Sequence, residues 1–155
     1  MPTKYKGNAK DKRALNAFIC LKRAAESMDL WLNHSVTVEG VTSSQFSILE
    51  CLYHMGPMKP GQLAKKMLMS CGNITYVLDK LVLKELVTRV ANPNDRRSFV
   101  IDLHPTGRAL VEKHLPHYVK SIGSALDHLS ADEQNALKDL CKKLGLGVTE
   151  AQKGK

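Results

Sequence analysis

Asp95-Arg96-Arg97-Ser98 puts two guanidinium groups at the end of the polar segment 92–98, whose Asn, Pro and Asp content is that of a tight chain reversal. An aspartate two residues before an arginine can fix the guanidinium by a charge-assisted hydrogen bond. A cation held in that way suits a narrow, negative groove such as the minor groove of A·T-rich duplex DNA. The plain alternative is a surface turn with a weak ion pair, worth at most ~1 kcal/mol. Just upstream, a helical pattern opening at Ser70 turns Ile74, Val77, Leu78 and Leu81 to one side and leaves Cys71, Asn73, Thr75, Tyr76, Asp79 and Lys80 on the other. Most of that outer face can hydrogen-bond. Asn73 could pair bidentately with adenine, and Gly72 permits close approach to a backbone. The outer face of any solvated helix offers similar side chains.

The elements that must hold these residues can be read from periodicity. Residues 86–91 and 99–103 alternate as strands on either side of the turn. Residues 61–68, opened by Pro60 and closed by Met69-Ser70, form a short helix that makes a helix-turn-helix with 71–84, for which Ser70 is the N-cap. Thr42-Ser43-Ser44-Gln45 is a capping box for a helix ended by Met55-Gly56-Pro57, with Phe46, Leu49, Leu52 and Tyr53 inward. A helix is expected over 11–34, capped by Asp11, with a broad apolar stripe of Leu15, Phe18, Ile19, Ala25, Met28, Trp31 and Leu32. Pro105 opens another, to about residue 128, which Pro116 should kink or break near Lys113. A capping box at Ser130-Ala131-Asp132-Glu133 starts a final helix, 131–144, with Leu137, Leu140, Cys141 and Leu144 inward and Gly145 as its stop. Met67 and Leu68 are read as inward-facing. The surplus apolar surface of the terminal helices points to a partner subunit.

With 155 residues, the chain fits one domain with helical additions. Its net charge of +8 favours a polyanionic partner, because each neutralised phosphate releases counterions. The cysteines at 20, 51, 71 and 141 form no C-x-x-C pair, which argues against a zinc ribbon and a disulfide framework. No apolar run approaches ~20 residues, so neither secretion nor a membrane span is expected, and the cytoplasm is the expected location. No nucleophile motif or carboxylate pair signals catalysis, and no cofactor is implied.

Asp95-Arg96-Arg97-Ser98, the run Phe99 to Leu103 and His104-Pro105-Thr106-Gly107 resemble the wing of the MarR family of bacterial regulators, whose pattern is Asp-x-Arg, a small residue, a β run and Leu-Thr-x-x-Gly. Gln62-Leu63-Ala64 and Ile74-Thr75 through Asp79-Lys80-Leu81 resemble the family's helix-turn-helix, and the likeness extends over residues 11–144. It implies a mainly α fold with a small antiparallel β-wing, and a homodimer held by terminal helices. It further implies transcription regulation, as a repressor that binds a pseudo-palindromic double-stranded operator and often answers to a small aromatic or anionic effector. The segments are then a flexible basic arm 1–10, a dimerisation helix and loop 11–41, a winged helix-turn-helix lobe 42–104, C-terminal dimerisation helices 105–145 and a flexible tail 146–155. DNA contacts are expected from Ser70, Gly72, Asn73, Thr75, Tyr76, Lys80, Asp95, Arg96, Arg97 and Ser98. By this comparison Arg97 enters the minor groove, Asp95 braces it and Arg96 meets a phosphate or groove edge. Three departures stand out: Glu85 where the family usually has Gly, so that the helix end is expected to close differently; His104 for the usual Thr; and Tyr76 where many members carry Arg.

Effector candidates are Trp31, His34, Tyr53 and His54 (with Met55), although core or interface packing is the better account of each residue taken singly. Two variants of the same regulator remain. A metal sensor would use His114 and His117 with His34 or Cys20, and a thiol sensor would use Cys20 beside Lys22 and Arg23. A rival from another class is a winged-helix module whose basic face binds an acidic protein.

Overall fold

The computed structural model describes the backbone of residues 4–36, 38, 40–92 and 95–153; side chains are described for all of these except 92, 95–97, 152 and 153. Among the described residues the order is α1 (Ala9–Ser35), α2 (Ser43–Met55), α3 (Pro60–Lys66), α4 (Cys71–Leu83), β1 (Val87–Asn92), β2 (Asp95–Leu103), α5 (Pro105–Leu126) and α6 (Ala131–Lys153). This is the mainly α fold with a two-stranded antiparallel wing that the sequence predicts. The chain divides into two compact units, Asn33–Val119 and Met1–Leu32 with Lys120–Lys155.

The unit Asn33–Val119 holds every buried hydrophobic side chain among the described residues, from Val38 to Val111. The Thr42 capping box is formed: Gln45 N–H donates to Thr42 Oγ1 at 3.3 Å, and Thr42 N–H to Gln45 Oε1 at 3.2 Å. A residue outside the motif adds a second donor to it. Gln45 is buried, and Lys84 Nζ at the end of α4 also donates to Gln45 Oε1 at 3.0 Å and to Gly40 O. The lysine thus satisfies a buried amide oxygen and ties α4 to the loop ahead of α2. Phe46, Ile48, Leu49 and Leu52 of α2 meet Leu63 and Ala64 of α3, the α4 stripe, and Val87, Ile101, Leu103 and Val111 in one cluster. Met58 pairs with Ile101 in both directions, at 3.1 and 2.9 Å, and so covers part of the β2 edge.

Both helices of the helix-turn-helix end in Schellman motifs. Met69 N–H reaches Ala64 O and Leu68 N–H reaches Lys65 O; Leu86 N–H reaches Leu81 O and Glu85 N–H reaches Val82 O. The left-handed residues are Leu68, at φ 52°, and Glu85, at φ 53°. Two expectations are corrected here. Leu68 does not face inward; it stands 93% exposed, because the left-handed turn throws it clear of the α3 stripe. Glu85 does not make the helix close differently. It adopts the conformation that glycine would, against the steric cost of its Cβ, because the two capping bonds and the buried Leu86 beyond it fix the backbone. Glu85→Gly should therefore raise stability by about 1 kcal/mol, the relieved strain exceeding glycine's extra unfolded-state entropy. A denaturant midpoint that stays or falls would contradict this account.

The other unit has a different character. α1 contains no buried residue, and Phe18, Leu21, Leu30 and Trp31 are exposed. On α6, Leu137, Leu140 and Leu144 are exposed, where the sequence reading turns them inward. Within one chain these stripes have nothing large enough to bury them. α1 starts earlier than expected: Asn8, not Asp11, is the cap. Asn8 Oδ1 accepts from Asp11 N–H at 2.8 Å, and Asn8 Nδ2 donates to Asp11 Oδ2 at 2.9 Å. α5 runs unbroken through Pro116, which removes one helical N–H but does not end the helix. α6 continues past Gly145 to Lys153; a helical glycine costs only about 1 kcal/mol, and Thr149 Oγ1 donates to Gly145 O within the helix. The Ser130 capping box is formed as expected. Its hydrogen bonds hold the exposed Glu133 carboxyl below the usual carboxylate range.

Candidate nucleic-acid interface

α4 is positioned by its own sequence. Ser70 Oγ accepts from Asn73 N–H at 3.3 Å, which fixes the start of the helix. Ile74, Val77, Leu78 and Leu81 are all buried, and each contributes about 1.5–3 kcal/mol to seating the helix. The opposite face is therefore forced outward, and Cys71, Gly72, Asn73, Thr75, Tyr76, Asp79 and Lys80 are all exposed. They are not equally free. Thr75 Oγ1 donates to Cys71 O at 2.9 Å, so its hydroxyl proton is used within the helix and its methyl group faces solvent. The Lys80 ammonium lies 5.4 Å from the Tyr76 ring centroid, and the pair forms an aromatic platform with a positive end. Around Gly72 a Cβ would meet nothing within 4 Å; the chain itself does not demand glycine there.

The wing springs from the same unit. Val87 pairs with Leu103, Arg89 with Ile101 and Ala91 with Phe99, after which the register slips and Asn92 pairs with Asp95. The predicted turn 92–98 is thus shorter than expected, and both strands run into it. The slip places the extra residues Arg96, Arg97 and Ser98 of β2 between the pairs Ala91–Phe99 and Asn92–Asp95. Excess residues of this kind bend a strand and re-aim its side chains. The side chains of Asp95, Arg96 and Arg97, and with them the proposed brace between Asp95 and Arg97, lie outside the described residues. Ser98 is half-buried.

Sequence reasoning missed Arg89. Its guanidinium pairs with the Asp79 carboxylate on α4 and lies 5.4 Å from the Phe99 ring centroid on β2. A signal was present: Arg89 occupies a core-facing position in the strand alternation, opposite Ile101. The start of α5 clamps the same corner, since His104 N–H donates to Leu86 O at 3.1 Å and Thr106 Oγ1 donates to Glu85 O. His104, expected to be a poor cap, receives Thr106 N–H on Nδ1 at 3.4 Å, a long bond.

The effector candidates fall in different surroundings. Trp31 Nε1 donates to Ser121 O at 2.9 Å within the helical unit. In the other unit Tyr53 is half-buried, edge-on to His54 at 5.3 Å between ring centroids, with the Arg108 guanidinium 5.6 Å from its own ring. His54 lies 4.0 Å from Glu50, and His34 is exposed on the last turn of α1. His117 Nε2 is 2.9 Å from Ser35 O, so that ring is engaged by backbone. Among the described residues no three His, Cys, Asp or Glu side chains converge as a metal site would need. Cys20, Cys71 and Cys141 are exposed. Burial pushes the Cys51 thiol up, with Lys66 opposing, so Cys51 is the poorer nucleophile. No described helix is long and apolar enough to cross a membrane.

A family model described as the MarR family matches residues 41–99. The chain is 33% identical over 139 residues to the HTH-type transcriptional regulator MhqR of Bacillus subtilis, which spans 90% of this chain and 96% of that protein. Among solved structures, a variant of E. coli MarR complexed with operator DNA superposes with a TM-score of 0.77 at 26% identity, covering 89% of this chain and 99% of that one. Bordetella bronchiseptica BpsR, described for regulation of its DNA binding by 6-hydroxynicotinic acid, gives 0.76 at 25% identity, covering 84% and 98%.

Proposed function

This chain belongs to the MarR family of DNA-binding transcriptional regulators, and we propose that it works in the cytoplasm as a homodimeric repressor whose two lobes read the halves of a pseudo-palindromic operator. What carries this reading is a pairing within one unit: an exposed, hydrogen-bonding face on α4 beside a ribbon whose arginines sit at a register slip. Ser70, Gly72, Asn73, Thr75, Tyr76 and Lys80 enter the major groove from α4, and Asp95, Arg96, Arg97 and Ser98 bring the wing to the minor groove. Residues 42–104 are the reading lobe. Segments 11–41 and 105–145 are the dimerisation frame, in which a second copy covers Phe18, Leu21 and Leu30 of α1 and Leu137, Leu140 and Leu144 of α6. The basic arm 1–10 adds phosphate contacts, and 146–155 is the tail. A small aromatic or anionic effector sets operator affinity, with Trp31, His34, Tyr53 and His54 as the residues to probe first; the description of BpsR supports that class of effector.

Selection from a random-sequence DNA pool, followed by salt titration on the selected duplex, tests the proposal. The expected result is a two-fold related site, one dimer per site, and affinity that falls steeply and log-linearly with salt. Binding without sequence preference, or tight binding of an acidic protein instead, would favour the interaction-module reading.

A further inference from the structure

The wing is a two-stranded ribbon, and an isolated ribbon of that kind is only marginally stable. Its inner face is secured near the base, where Val87, Ile101 and Leu103 are buried. On the same face Arg89 stands opposite Ile101 and Phe99 one step further out opposite Ala91, and both side chains are exposed. Beyond the Ala91–Phe99 pair the register slips, and the two arginines of the tip lie in that slip. Arg89 therefore stands in the regular part of the ladder, two residues before its last regular pair, Ala91–Phe99. There it is held twice: its guanidinium pairs with Asp79 of α4 and lies over the Phe99 ring of β2.

We propose that Arg89, clasped between Asp79 and Phe99, is a positioning residue that sets the wing against the recognition helix, so that one half-site is read in both grooves at once. Two features favour positioning over stability. Both ends of the ion pair are about half exposed, at 43% and 50%, where a pair contributes little to folding. The planar guanidinium can also satisfy a carboxylate and lie on a ring in one fixed pose, which a lysine ammonium cannot do. The clasp explains a further oddity, an aspartate on the face that is to meet a polyanion. Asp79 costs binding energy through charge repulsion, and the geometry it imposes through Arg89 compensates for that cost.

The proposal rests on α4 and the wing being the DNA-reading elements, and the test separates the two ideas. The probe is the duplex selected by the parent protein from a random pool; if the parent selects none, the functional reading fails and not the clasp. Asp79→Asn removes a negative charge from the DNA-facing side, so charge alone predicts tighter binding. The clasp predicts binding to the selected duplex about 5–10-fold weaker, with affinity for scrambled duplex unchanged or higher and the melting temperature close to that of the parent. Arg89→Lys, which keeps the charge, should lose a similar factor. The double variant should lose no more than either single one, because both break the same link. Phe99→Leu, the mildest change, should lose less and in the same direction. Selected-site affinity that is equal or higher in Asp79→Asn, or losses from Asp79→Asn and Arg89→Lys that add, would overturn the proposal and make Arg89 an ordinary phosphate contact. If Asp79→Asn fails to fold, Arg89→Lys decides alone: undiminished binding overturns the clasp.

Discussion

Gly107→Ala should destabilise the lobe by about 3 kcal/mol or more, the upper part of the range for overpacking, and in many preparations should leave no folded protein. A Cβ built at Gly107 would overlap Leu86 O and sit 2.9 Å from its carbonyl carbon. Both atoms are backbone, so no rotamer change can relieve the clash. Nor can Leu86 simply withdraw. Its carbonyl accepts from His104 N–H, and its own N–H donates to Leu81 O to close α4. Its side chain is buried, and Glu85 next to it already holds a left-handed conformation. Moving Leu86 therefore loosens the end of the recognition helix and the root of the wing together. At ~2–4 °C per kcal/mol for a chain of this size, the expected fall in melting temperature is about 10 °C. Gly61→Ala is the control. Nothing lies within 4 Å of a Cβ at that position in α3, so that substitution should stabilise slightly. If Gly107→Ala melts like the parent, the close packing of α5 on Leu86 is not what fixes this corner.

The same corner shows how much of the protein is legible in the sequence. The motif ending in Gly107 is visible as a pattern, but its reason is not: that glycine answers to a carbonyl 21 residues earlier. The stripe Ile74, Val77, Leu78 and Leu81 is legible because a helix against a core writes its burial at a 3.6-residue period. The Ser70, Thr42 and Ser130 caps are legible for the related reason that their partners lie three residues away. The misreadings cluster where local signals compete. Gly145 and Pro116 carry stop signals, yet α6 and α5 run through them, since one unfavourable residue is outweighed by its helical neighbours. Leu68 has an inward-looking type but sits at a left-handed turn. Contacts between distant segments are not legible at all. Lys84 on Gln45 and Arg89 on Asp79 join residues 39 and 10 positions apart, and no periodicity announces them. The terminal helices are half legible: their stripes are plain, and the surface they face in one chain is solvent.

Arg97→Ala should weaken binding to the selected operator by about 1–3 kcal/mol per half-site while leaving the proposed dimer and the melting temperature unchanged. Each 1.4 kcal/mol is a factor of ten, and the proposed symmetric operator would engage two wings, so the loss for the proposed dimer would exceed that for one lobe. Arg97 follows the tip on β2, within the register slip between the pairs Ala91–Phe99 and Asn92–Asp95. An irregularity of this kind bends the strand and re-aims the side chains it carries. Guanidinium is also less strongly hydrated than ammonium, so a narrow groove strips it at lower cost. Arg97→Lys should therefore recover only part of the lost affinity. The neighbouring arginine provides the contrast. If Arg96 meets phosphate, Arg96→Ala should weaken selected and scrambled duplexes alike and lower the salt slope by about 0.9 for each phosphate no longer neutralised. Arg97→Ala should instead act most strongly on sites whose flanks are A·T-rich, where the minor groove is narrowest and most negative. Replacing those flanks with G·C pairs should then cost the parent protein affinity and the Arg97→Ala variant almost none. If the flank change costs both proteins equally, the wing does not read groove width through Arg97.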